Sequence, residues 1–168
     1  MTPEPARPAP DTTTSVTESS IVVRATLDAA PEAVFALLGD PARHPELDGS
    51  GTVVGAVDPH RLTAVGQTFV MDMHQDRPGL GDYRTENTVT DVVPGARLAW
   101  TTARVGNPPS GIRWQWDVSP ATGGGTDVTH THDWSQVTDA AVLARVSFPR
   151  VSAEQLAATV RRLGAALS

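Results

Sequence analysis

The sequence predicts an α+β domain in which a curved antiparallel sheet of seven strands wraps around one long C-terminal helix, with two short helices after the first strand. Three observations predict it. Short apolar segments separated by turn residues follow one another from Thr52 to Trp134, and consecutive strands joined by turns pair antiparallel. Helical spacing of apolar residues is concentrated just after the first strand and at the end of the chain, so helices and strands are segregated rather than alternating. The chain's 168 residues suit one core.

Residues 1–19 are rich in Pro, Thr, Ser and Glu. Such a stretch buries too little to offset its ordering entropy, so it reads as a disordered tail, with the folded domain running from 20 to 168. Ile21 to Leu27 is β-branched and apolar and reads as the first strand. Pro31 suits the first position of a helix, and Val34, Phe35 and Leu38 share its face. Gly39 can end that helix, and Asp40-Pro41 can begin a second that closes near Leu47. Six strands follow: Thr52–Val57, Gln67–Gln75, Tyr83–Val93, Arg97–Arg104, Ile112–Val118 and Thr126–Trp134. Ala140, Ala141, Leu143, Ala144 and Val146 suit a short helix inside the connector Val137 to Arg150, either an ordinary link or a lid. Ser152 with Gln155 three residues later forms a capping box, with Val151 and Leu156 placed as its hydrophobic staple. Leu156, Val160, Leu163 and Leu167 then make an apolar stripe that needs the sheet as its partner.

Composition excludes several classes of function. The formal net charge is -6, and Arg161-Arg162 is the only adjacent basic pair, which disfavours nucleic acid and anionic membranes as partners. No apolar run is long enough to span a bilayer, and no signal-peptide core opens the chain, so a cytoplasmic protein is expected. There is no cysteine, which removes disulfides and thiol catalysis. Nucleophile elbow, P-loop and dinucleotide fingerprint are all missing, so no cofactor is expected.

Several strings resemble the SRPBCC superfamily, the START-like, helix-grip group that includes the polyketide cyclase/dehydrase type. They are Ala30-Pro31-Glu32-Ala33-Val34-Phe35-Ala36-Leu37-Leu38 with Asp40-Pro41; Val65-Gly66-Gln67-Thr68-Phe69; Asn87-Thr88-Val89-Thr90-Asp91 running to Pro94 and Leu98-Ala99-Trp100; and Gly125-Thr126-Asp127-Val128-Thr129 running to Trp134. The likeness covers everything from about Ser20 onward. One departure is Leu47, or a neighbour, where such sequences often carry tryptophan after the second short helix. The resemblance implies a cavity between sheet and long helix that takes a small hydrophobic molecule, aromatic, polyketide-like or lipid-like. It also implies an alternative, a cyclase or dehydratase working without metal or nucleotide.

Strand alternation assigns the residues of such a cavity: Phe69, Met71 and Met73; Trp100; Trp114 and Trp116; and Trp134. Indole rings and adaptable thioethers suit a flat apolar ligand, and they equally suit a filled core. On the helix, Val160 and Gly164 are the expected contacts, Gly164 either making room for a ligand or marking fraying near the chain end. His130 and His132 share a strand face and are the candidate acid/base pair, with structural pairing as the alternative. Two histidines do not make a zinc site, and His74 falls out of phase, so no metal is expected.

Overall fold

The computed structural model describes residues 2–3 and 8–168. In chain order the elements are β1 (Thr13–Val16), β2 (Ser20–Leu27), α1 (Pro31–Leu38), a single 3-10 turn (Pro41–Arg43), α2 (His44–Leu47), β3 (Val53–Val57), β4 (Thr68–Gln75), β5 (Gly81–Val93), β6 (Arg97–Arg104), β7 (Ile112–Pro120), β8 (Thr126–Asp133), α3 (Ala140–Arg145) and α4 (Ala153–Ala166). The strands form one antiparallel sheet in the order β1-β2-β8-β7-β6-β5-β4-β3. Register shifts at Val53/Gly55 and Val89/Asp91 add local bend to its β3–β6 half.

The sheet has eight strands, not the expected seven. The extra one, β1, lies inside the stretch read as a tail, and its Thr13 and Val16 stand opposite Arg24 and Ile21 of β2. All four of its residues are exposed, so the sequence carries no buried alternation there. What orders β1 is the ladder itself, entered through a turn in which the Thr17 N–H donates to the Ser20 carbonyl at 2.9 Å. The expected tail also includes residues 1 and 4–7, which lie outside the described residues.

The core sits between the sheet and α4. Ile21, Val23 and Leu27 of β2, Val34 and Leu38 of α1, and Leu98 and Val128 are all buried. Leu156, Ala157, Val160 and Leu163 meet them from α4. The capping box is formed in full: the Gln155 N–H donates to Ser152 Oγ at 3.1 Å, and the Ser152 N–H to Gln155 Oε1 at 2.9 Å. α1 begins with Pro31, and Asp40 caps the 3-10 turn by accepting from the Ala42 N–H at 3.2 Å. Among the described residues no helix is long and apolar enough to cross a membrane.

Candidate functional site

The sheet's concave face and α4 do not close completely. Between them lies a cavity of about 160 Å³, well above the ~10–15 Å³ that a cavity needs to hold one water. Phe69, Met71 and Met73 of β4 line its floor, with Trp100 of β6, Trp114 and Trp116 of β7, and His130 of β8. Leu38, His44 and Leu47 form one wall. Val151, just before α4, and Gln155, Leu156 and Thr159 of α4 close it.

The aromatic floor is built by register. Trp116 lies directly opposite His130, and Trp114 opposite His132. Both pairs stack nearly parallel, with centroids 3.7 Å and 4.0 Å apart. On the other side, His44 stacks on Trp100 at 5.5 Å, and Phe69 meets Trp100 edge-on at 5.4 Å. Such pairs favour offset or edge geometry and fix ring orientation.

Hydrogen bonds to backbone fix the histidine tautomers, because a carbonyl can only accept. His130 donates from Nδ1 to the Gln115 carbonyl at 3.1 Å. When neutral, its Nε2 is therefore an acceptor, on a ring that lines the cavity. Burial pushes its pKa down to about 3, and nearby His132 and His44 push the same way. His44 donates from Nε2 to the Leu38 carbonyl at 2.8 Å, leaving Nδ1 as the acceptor. Burial lowers its pKa as well. The cavity thus holds two neutral imidazoles, each with one nitrogen that has no hydrogen-bond partner among the described residues.

Two polar networks complete the walls. Thr102 donates to Asn87 Oδ1 at 2.7 Å, and Asn87 Nδ2 donates to the Phe69 carbonyl at 3.2 Å. At the α2–β3 corner, Asp48 accepts from Ser50 Oγ at 2.7 Å and from the Val53 N–H at 2.9 Å. The Gly49 N–H donates to Thr159 Oγ1 at 2.9 Å, tying that corner to α4.

The residues singled out from sequence divide into two groups. Phe69, Met71, Met73, Trp100, Trp114, Trp116 and His130 come together around the cavity. His132, Trp134, Val160 and Gly164 lie outside its lining. His132 is fully buried, and its Nε2 accepts from the Arg150 N–H at 3.2 Å. Burial lowers its pKa to about 4. Its Nδ1 is buried without a hydrogen bond of good geometry, although the Arg113 backbone lies near. Trp134 stacks on Phe148 of the connector at 6.0 Å. Val160 is core. Neither reading of Gly164 matches its surroundings: a Cβ there would meet Pro10 Cγ at 3.1 Å and Leu27 Cδ2 at 3.3 Å, so the glycine lets the N-terminal segment lie against α4.

His44 is the main residue that strand alternation missed. A signal was present: it lies three residues before Leu47, on the same helical face. Among the described residues no three His, Cys, Asp or Glu side chains stand close enough to hold a metal ion. His74 points away from the cavity face and is held between Asp82 and Asp76 at 2.7 Å each.

Comparison with known proteins bears on the family and the fold. Protein Rv0088 of Mycobacterium tuberculosis strain H37Rv is 38% identical over 107 residues, covering 63% of this chain and 44% of that protein. The chain thus spans less than half the length of the curated relatives it matches. Protein Ms6760 from Mycobacterium smegmatis superposes with a TM-score of 0.67 at 16% identity, covering 95% of this chain and 98% of the other. The ginseng major latex-like protein 151 from Panax ginseng superposes with a TM-score of 0.61 at 13% identity, covering 88% and 96%. At such identities these two structures speak to the fold. A sequence model of the family described as polyketide cyclase/dehydrase and lipid transport matches residues 14–167, every element that builds the cavity included. The chain belongs to that family, within the SRPBCC superfamily.

Proposed function

We propose that this protein binds a small, largely apolar molecule in the cavity between the sheet and α4. The observation that carries this is the lining itself. Three indoles, a phenyl ring and two thioethers surround the space, while its few polar atoms are held in networks or present ring nitrogens as acceptors. Sites for small molecules are of this kind: an apolar recess with a few placed polar groups that fix orientation. The family's description, which includes lipid transport, supports the same reading.

The second reading is a cyclase or dehydratase using pocket histidines as acid and base. What favours it is that His44 and His130 share one cavity. What weighs against it is their burial. A general base works best with a pKa near the operating pH, and His130 is held at about 3. Its nitrogen accepts a hydrogen bond well but holds a proton poorly. His132, the other candidate, has its Nε2 occupied by the Arg150 backbone.

Native mass spectrometry of gently purified protein tests the proposal. An adduct of small-molecule mass that is lost on denaturation is the expected result. A clean protein mass, together with no thermal shift across a panel of apolar and amphipathic compounds, would overturn it.

A further inference from the structure

Beyond its apolar floor, the concave face ends in a different kind of surface. Tyr83 stands opposite Met73, and Arg104 opposite Thr85. By alternation Tyr83 shares the face of Thr85 and Asn87, and Arg104 that of Trp100 and Thr102. The Arg104 guanidinium lies over the Tyr83 ring, 5.0 Å from its centroid. Gln75 Nε2 donates to the Tyr83 hydroxyl at 2.9 Å, which leaves the phenolic hydrogen free to donate. From the α4 side comes Arg150, the residue before the cavity-lining Val151. It is half-buried, its Nη1 donates to the Ser147 carbonyl at 3.2 Å, and it feels the charges of Arg77 and Arg104.

None of these three arginines has a carboxylate partner among the described residues, whereas Arg43, Arg84, Arg97 and Arg161 are all paired. Acid is not scarce: the chain has 19 Asp and Glu against 13 basic residues. The nearby hairpin carboxylates, Asp76 and Asp82, are engaged by His74 on the opposite side of the sheet. Three guanidinium groups gathered without counter-charge, one of them partly desolvated, repel one another. An anion placed among them removes that cost and gains charge-assisted hydrogen bonds.

We propose that the occupant is an amphiphile with an oxyanion head, a carboxylate or a phosphate: its apolar body lies in the cavity, and its head is held at the mouth by Arg104, Arg150 and Arg77, with the Tyr83 hydroxyl donating. This deepens the binding function proposed above and rests on it. The head group then decides which of many apolar molecules is kept, because a neutral head leaves the guanidinium cluster without compensation.

The test is calorimetric titration of the full chain with decanoate, decyl phosphate and decan-1-ol, all below their aggregation limits. An acid should bind on the order of tenfold or more tightly than the alcohol, and the preferred acid assigns the head. In the Arg104→Gln/Arg150→Gln variant that preference should fall to about twofold or less. Arg162→Gln, which removes one charge on the exposed side of α4 just as Arg104→Gln alone does near the cavity, should leave it intact. Should the double variant fail to fold, as judged by circular dichroism, Arg104→Gln alone serves, since its side chain is exposed. Equal binding of acid and alcohol by the wild type, or an acid preference untouched by these substitutions, would overturn the inference while the binding function stands. Absence of binding by all three probes would also overturn the inference, while the binding function is decided by the native mass and the compound panel.

Discussion

His130 and His132 stand two residues apart on one face of β8, each stacked on the tryptophan across from it, yet only His130 lines the cavity. Alternation placed them on a common face; it carried no information on how far along that face the cavity extends. Both stay neutral in the fold, with pKa values near 3 and 4, while an unfolded histidine titrates near ~6.5. Between those limits the unfolded chain binds more protons. Their contribution to stability is therefore complete above about pH 6.5 and is lost as pH falls from there toward the folded values. Urea unfolding should show stability dropping on acidification below neutral, by up to ~1.4 kcal/mol per pH unit for each buried histidine. His130→Gln should flatten the slope, and a wild-type curve unchanged from pH 7 to 5 would contradict this account. Exposed His74, raised by Asp76 and Asp82, acts in the opposite direction. Gly49 is a second sensitive position. A Cβ there would fall 2.7 Å from both Ala158 Cβ and the Thr159 nitrogen and would also crowd the Gln155 carbonyl. Gly49→Ala should cost about 1–3 kcal/mol, read as a lower urea midpoint, because the corner and α4 cannot separate without opening the cavity wall.

α4 shows what a sequence states openly about an element. Its start is written in adjacent residues, Ser152 to Gln155, and its buried face in helical spacing. The same holds for β4 and β7, whose alternating Met and Trp residues name the cavity floor. β1 was not legible, since its exposed side chains carry no pattern and its order comes from pairing with β2. The arginine cluster was not legible either, because Arg150 comes within electrostatic reach of Arg77 and Arg104 only once hairpin, strand and connector are folded. Ser152→Ala should remove one half of the capping box and cost about 1 kcal/mol of stability. The denaturant slope should stay unchanged while the midpoint falls. The effect should extend to ligand binding, as Val151 and Gln155, on either side of the cap, both line the cavity.

Over the whole molecule, the sheet is open, with β1 and β3 at its edges. Removing residues 1–16 would leave β2 as an edge, exposing the backbone groups that now pair with β1, next to a row of buried Ile21, Val23 and Leu27. Unpaired edges recruit other chains. The shortened protein should melt a few degrees lower and elute partly as larger species on size exclusion, whereas unchanged melting and elution would show β1 to be dispensable. The full chain has four tryptophans, and three of them border the cavity while the fourth stacks beside its connector. Most of the protein's indole emission therefore originates around the cavity. A guest that displaces water there must recolour most of the spectrum, with only Trp134 set apart from it, so the molecule reports its own occupancy without a label.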